Sequence, residues 1–142
     1  MALIADEVAE QLRREFEKLK DPVRLAVFSA ALADPESEQV KRLVEELAAL
    51  EPRITAESYN FVLDTEKVAS LNIQRIPAIA ILGATKDYGI RMYGLPSGYE
   101  FGSLVDAILE VSRGDSGLSA PTREALAAVE RPVHVQVFST PT

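Results

Sequence analysis

Few residues of this 142-residue chain could do chemistry, and their types exclude more than they allow. Cysteine is absent, which removes disulfides, thiolate metal sites and thiol nucleophiles together. The single histidine, His134, alternates with Val133, Val135 and Val137, so it reads as a surface or inter-unit residue, not a catalyst. One histidine without cysteine argues against a transition-metal site, and no Asp/Glu ladder has the spacing of a calcium loop. Neither a metal nor a cofactor is expected. Ser29, Ser37 and Ser97 lack any triad context, and no glycine-rich phosphate loop is present. One close pair of carboxylates, Asp34 and Glu36, stands at a helix start. Acid–base work would need a basic, nucleophilic or metal partner that the sequence does not supply. A helix cap with a favourable dipole contribution is the simpler role.

The elements that would position these residues follow from periodicity. Ile4, Val8, Leu12, Phe16 and Leu19 share one helical face, predicting an amphipathic helix over Leu3 to Lys20. Asp21-Pro22 ends it. Val23, Leu25 and Val27 then alternate with Arg24 and Ala26, and Phe28 closes a short strand. Asp34 as cap, Pro35 in the first helical position and Glu36 in the first turn open the next helix, whose buried stripe is Val40, Leu43, Val44, Leu47 and Leu50. Thr55 to Leu63 is β-biased, and Asp64-Thr65 opens a short helix carrying Val68 and Leu71. Ile76 to Leu82 is apolar on both faces, as a strand covered on both sides requires. Tyr88, Ile90 and Met92 alternate on a return strand with core-facing side chains. A last full helix buries Phe101, Leu104, Val105, Ile108 and Val111 and stops at Arg113-Gly114.

Beyond Gly114 the chain repeats itself. Pro132-Val133-His134-Val135-Gln136-Val137-Phe138-Ser139 matches Pro22-Val23-Arg24-Leu25-Ala26-Val27-Phe28-Ser29 at five of eight positions, and each follows a helical pattern. A helix-then-strand unit that returns is the signature of a repeat. The expected organisation is one unit over residues 1–114, then a linker and the first helix and strand of a truncated second unit over 115–142. The expected fold is α/β: a four-stranded mixed sheet with helices on both faces, the thioredoxin arrangement. The net charge of −7 argues against nucleic acid, which demands a basic face, and against an anionic membrane. The longest apolar run is seven residues, Ile76 to Leu82, where a span needs about 20. Asp6 and Glu7 break the charge order of a secretory signal, so cytoplasmic residence is expected.

Three stretches carry a family resemblance: the pattern around Pro22 to Phe28, Arg75-Ile76-Pro77-Ala78 before a buried strand, and Gly94-Leu95-Pro96-Ser97-Gly98-Tyr99-Glu100-Phe101. Together they resemble the glutaredoxin-like protein disulfide oxidoreductases, built from tandem thioredoxin folds. They are also similar to the N-terminal domain of the alkyl hydroperoxide reductase flavoprotein subunit. The resemblance implies a CxxC at the helix after the first strand, where the helix dipole acidifies the attacking thiol. Asp34-Pro35-Glu36-Ser37 occupy that position here. Asp34 stands where the nucleophile would be and Ser37 where the resolving thiol would be, so this unit is expected to be redox-inactive.

The resemblance also implies a cis Ile76-Pro77 bond beside the start of the Asp34-Pro35 helix, with Ile76 and Pro77 at a substrate groove. It places the active CxxC of a second unit just after Thr142, led in by Ser139-Thr140-Pro141-Thr142. Three functions follow as expectations. The first is a scaffold for an active second unit in a thiol–disulfide oxidoreductase that acts on protein or peptide disulfides. The second is half of the electron-delivery docking domain of a flavin-dependent peroxiredoxin reductase. The third is a stand-alone peptide-binding thioredoxin-like module. The 142-residue chain is itself expected to have no enzymatic activity. Its apolar final strand, Val133 to Phe138, is expected to dock on its own unit or to pair between chains as a homodimer.

Overall fold

A computed structural model describes residues 1–30 and 34–140. Its elements run α1 (Asp6–Phe16), β1 (Val23–Ser29), α2 (Pro35–Leu50), β2 (Ile54–Asn60), α3 (Thr65–Ser70), β3 (Ala78–Gly83), β4 (Ile90–Tyr93), α4 (Tyr99–Arg113) and α5 (Ala120–Ala127). The strands form one mixed sheet in the order β2-β1-β3-β4. β1 pairs parallel to β2, with Val23 opposite Ile54 and Phe28 opposite Tyr59, and antiparallel to β3; β3 pairs antiparallel to β4.

The alternation in β1 divides the core into two layers. Val23, Leu25 and Val27, with Ile79 and Ile81 of β3, pack against buried residues of α1, α2 and α4. Ala26 and Phe28, with Ala78, Ala80 and Leu82, pack on the other face against Ile73 and the half-buried Tyr59, Phe61, Val68 and Leu71. β3 is buried throughout, as its unbroken apolar run requires. Each fully buried Leu, Val or Phe contributes about 1.5–3 kcal/mol relative to exposure.

Three expectations need correction. α1 is shorter than Leu3 to Lys20. The amides of Leu3 and Ile4 donate to the Glu46 carboxylate of α2 at 2.9 Å, so a tertiary partner takes the place of the first helical turn. At the other end, the Arg53 guanidinium donates to the Phe16 and Leu19 carbonyls, and Glu51 holds it in place with a 2.7 Å bond to Nε. Tyr88 is exposed, not core, because β4 begins only at Ile90, after Gly89 turns the chain at a φ of +85°.

The largest departure lies at the C-terminal end. α5 forms with its Ser119 cap, but no strand forms over Val133 to Phe138 among the described residues. Val133, Val135, Val137 and Phe138 are 72–89% exposed. They are not docked on the sheet and helices that precede them. A strand needs a ladder partner, and none of the four strands of the sheet pairs with this segment. His134 and all of α5 are likewise exposed. Pro141 and Thr142 of the expected CxxC lead-in lie outside the described residues.

Candidate functional site

The site is built where β1 hands the chain to α2. Asp34 has extended dihedrals, φ −87° and ψ 110°, and Pro35 begins the helix, so the Asp34 side chain is free to fold back over the first turn. Its two oxygens accept from the amides of Glu36 and Ser37 at 3.3 Å each. The Ser37 hydroxyl donates to Oδ2 at 2.6 Å. Ser37 is buried, at 2% exposure, and Asp34 is its acceptor. The Ser37 hydroxyl, aided by the two amides and opposed by desolvation, holds the Asp34 carboxyl below its ordinary range.

This geometry has a chemical consequence. The Asp34 oxygens are engaged in capping, and Ser37 Oγ–H is spent on Asp34. The carboxylate that accepts the hydroxyl's hydrogen bond is held below its ordinary range and so is too weak a base to ionise a serine, and a carboxylate forms no stable bond to sulfur. The arrangement closes a helix end; it does not present a nucleophile.

Glu36, read from the sequence only as a dipole-favoured residue, has a second role. Its Oε1 accepts the Leu95 amide at 3.1 Å, bringing the chain after β4 against the start of α2. Gly94 makes the turn into this contact at a φ of +82°, a conformation that favours glycine. The Gly94 amide in turn donates to the Pro77 carbonyl at 2.9 Å. The Ile76-Pro77 bond is cis. Asp34-Pro35-Glu36-Ser37 and Ile76-Pro77, distant in sequence, are thus tied by two hydrogen bonds through Gly94-Leu95. Pro77 is buried, and Ile76 is half-buried against the second core layer. Arg75 beside them lies over the Tyr93 ring, 4.3 Å from its centroid.

Among the described residues no group of three His, Cys, Asp or Glu side chains could hold a metal ion. Nor, among them, is any helix long and apolar enough to cross a membrane. Sequence reading missed two features: the Asp34–Ser37 side-chain bond and the Glu36–Leu95 bridge. The first was legible in principle, because a Ser three positions after an Asp cap can return its hydroxyl. The second depends on tertiary placement alone.

No protein-family model matches the chain. It is 33% identical over 110 residues to a protein named NADH dehydrogenase from Ferdinandcohnia aciditolerans, covering 78% of this chain and 18% of the relative. It is 29% identical over 133 residues to the F component of alkyl hydroperoxide reductase from Staphylococcus epidermidis, covering 93% of this chain and 23% of the relative. The chain therefore spans about a fifth of the length of these curated relatives. Among solved structures, the NTD_N/C domain of alkylhydroperoxide reductase AhpF from Enterococcus faecalis superposes with a TM-score of 0.80 and 29% identity, over 89% of this chain and 61% of that one. A protein disulfide oxidoreductase from Aeropyrum pernix superposes with a TM-score of 0.78 and 25% identity, over 90% of this chain and 56% of that one. The chain has a thioredoxin-like fold and is similar both to the N-terminal domain of the alkyl hydroperoxide reductase AhpF and to a protein disulfide oxidoreductase.

Proposed function

We propose that residues 1–114 form a redox-inactive thioredoxin-like unit that supports a neighbouring unit carrying the reactive cysteines, and that residues 115–142 begin that neighbour. Its work is structural: it stabilises the active unit and shapes the surface that protein or peptide disulfides meet. The observation that carries this reading is the Asp34–Ser37 turn. The place where the fold would present an acidified thiol holds a carboxylate and a hydroxyl bonded to each other at 2.6 Å. The repeat of β1 at Pro132 to Ser139, and the 61% share of the Enterococcus faecalis domain that the chain spans, support a second unit.

A more specific version makes the chain half of the docking domain that delivers electrons in a flavin-dependent peroxiredoxin reductase. The match to the Staphylococcus epidermidis alkyl hydroperoxide reductase over 93% of the chain favours it. Both versions require that the Asp34 and Ser37 positions be those of a lost CxxC.

That requirement is tested by the double variant Asp34→Cys, Ser37→Cys. In the folded protein it is expected to close an intramolecular disulfide, since the native side chains already touch. Two persistently free thiols, counted by alkylation and mass in a variant with a native circular dichroism spectrum, would contradict the assignment. Sequencing beyond codon 142 tests the other half. A CxxC in a second unit is expected there; a stop codon would contradict it.

A further inference from the structure

Glu36, Gln39, Leu43 and Glu46 are spaced so that they share one side of α2. The two ends of this row are carboxylates, and each holds a separate piece of backbone. Glu36 accepts the Leu95 amide at 3.1 Å. Glu46 accepts the amides of Leu3 and Ile4 at 2.9 Å, and Arg42, one turn before it, donates to the Met1 carbonyl. Between the two tied segments lies a cleft of about 370 Å³. Gln39 and the buried Leu43 line it from α2, Ile4 and Val8 from the amino-terminal segment and α1. Leu95, Pro96 and Phe101 line it from the chain around the start of α4. None of its lining residues lies beyond Phe101, so the cleft is complete within the packed sheet and helices.

We infer that this cleft binds a small, uncharged, mostly hydrocarbon molecule with one hydrogen-bonding end. Its size suits such a ligand, because small-molecule sites run from about 300 to 1,000 Å³ and are mostly apolar with a few convergent polar groups. The charge of the lining selects for neutrality. No Lys, Arg, Asp or Glu lines the cleft, and the two carboxylates at its ends are engaged with backbone amides. A charged ligand would leave water without gaining a partner; a neutral one loses little. Gln39 and Ser97 are the lining residues with side-chain hydrogen-bonding groups, and among the described residues neither side chain is bonded within the chain. They are the partners for a ligand hydroxyl, while its hydrocarbon part lies against Val8, Leu43 and Phe101. Because Glu36 and Glu46 pin both walls to α2, the cleft is formed before the ligand arrives, which lowers the cost of binding.

The probe is 1-octanol, titrated into the isotope-labelled 142-residue chain and followed by NMR. Saturable shifts with one midpoint are expected at Val8, Leu43, Leu95 and Phe101. Octanoate and octylammonium, equal in chain length but charged, are expected to bind about tenfold more weakly or worse. Val8→Trp enlarges a lining side chain that solvent already reaches, and is expected to abolish the shifts at Leu43 and Phe101 in a chain whose spectrum is otherwise native. Gln39→Glu, at an exposed position, is expected to invert the head-group order, so that octylammonium binds more tightly than octanol. No saturation below the solubility limit of octanol would overturn the inference. So would equal affinity for the three probes, an unchanged midpoint in Val8→Trp, or a head-group order unmoved by Gln39→Glu. Shifts largest at Val133 to Phe138 would also overturn it, since they would mean partition onto exposed apolar residues. None of these outcomes touches the redox reading, which the Asp34 and Ser37 thiol count decides by itself.

Discussion

Two eight-residue segments with nearly the same residues end in opposite surroundings. Pro22 to Ser29 contains β1, an inner strand of the sheet, with Val23, Leu25, Ala26, Val27 and Phe28 at 0–1% exposure. Pro132 to Ser139 repeats five of its eight residues and forms no strand, with Phe138 at 89% exposure. The alternation of apolar and polar side chains sets which faces a strand will present. It does not supply the strands and helices that cover them. β1 has β2 and β3 on either side and α2 and α4 packed on one face; nothing comparable covers the echo.

Truncating the same ring in both segments separates their surroundings by the largest margin. Phe28→Ala should destabilise the chain by about 3–5 kcal/mol in urea denaturation, the usual cost of emptying a buried aromatic site. Phe138→Ala in dilute solution should change stability by less than about 0.5 kcal/mol. Equal effects would mean that the echo is packed after all. The connections that follow β1 give the next contrast. Gly94→Ala should cost about 1–2 kcal/mol, since an L side chain is strained at the positive φ from which the chain after β4 is tied to α2 through Glu36. Chemical denaturation of the variant measures it, and an unchanged midpoint would mean that the tie bears no strain.

Asp34→Ala tests the cap through its pH dependence. The folded-state value of Asp34 is depressed, so its contribution is present above the ordinary carboxylate range and is lost as pH falls through that depressed value. The stability gap between the wild type and Asp34→Ala should be constant from about pH 6 to 8 and should narrow below about pH 4. A gap that widens on acidification would mean Asp34 is not the acceptor described. The smallest effect is reserved for the tail. A chain ending at Gly117 should unfold within about 0.5 kcal/mol of the full chain when both are dilute, because α5 and the echo bury no residue in the core.

Most of the fold is legible in the sequence because its signals are local. Asp34-Pro35 marks a helix start, Glu51-Pro52 its end, and the run Ile76 to Leu82 a doubly covered strand. The misreadings share one cause, tertiary partners that a periodicity cannot show. Glu46 takes the amides that α1 would have used, Gly89 turns Tyr88 out to solvent, and the echo has no ladder to join. At the site, the residue types announce what cannot happen, since a chain without cysteine exchanges no disulfide. The bond from Ser37 to Asp34 and the bridge from Glu36 to Leu95 say what the position does instead, and both arise only once the chain is folded.

The proposed function turns on one substitution, a helix cap at Asp34 where the related tandem folds carry a thiol. Insulin reduction by dithiothreitol, followed by turbidity with and without the 142-residue chain, tests it. The chain is predicted to leave the onset of precipitation at the time set by dithiothreitol alone, at any concentration tried. A concentration-dependent acceleration by the wild-type chain would contradict the account.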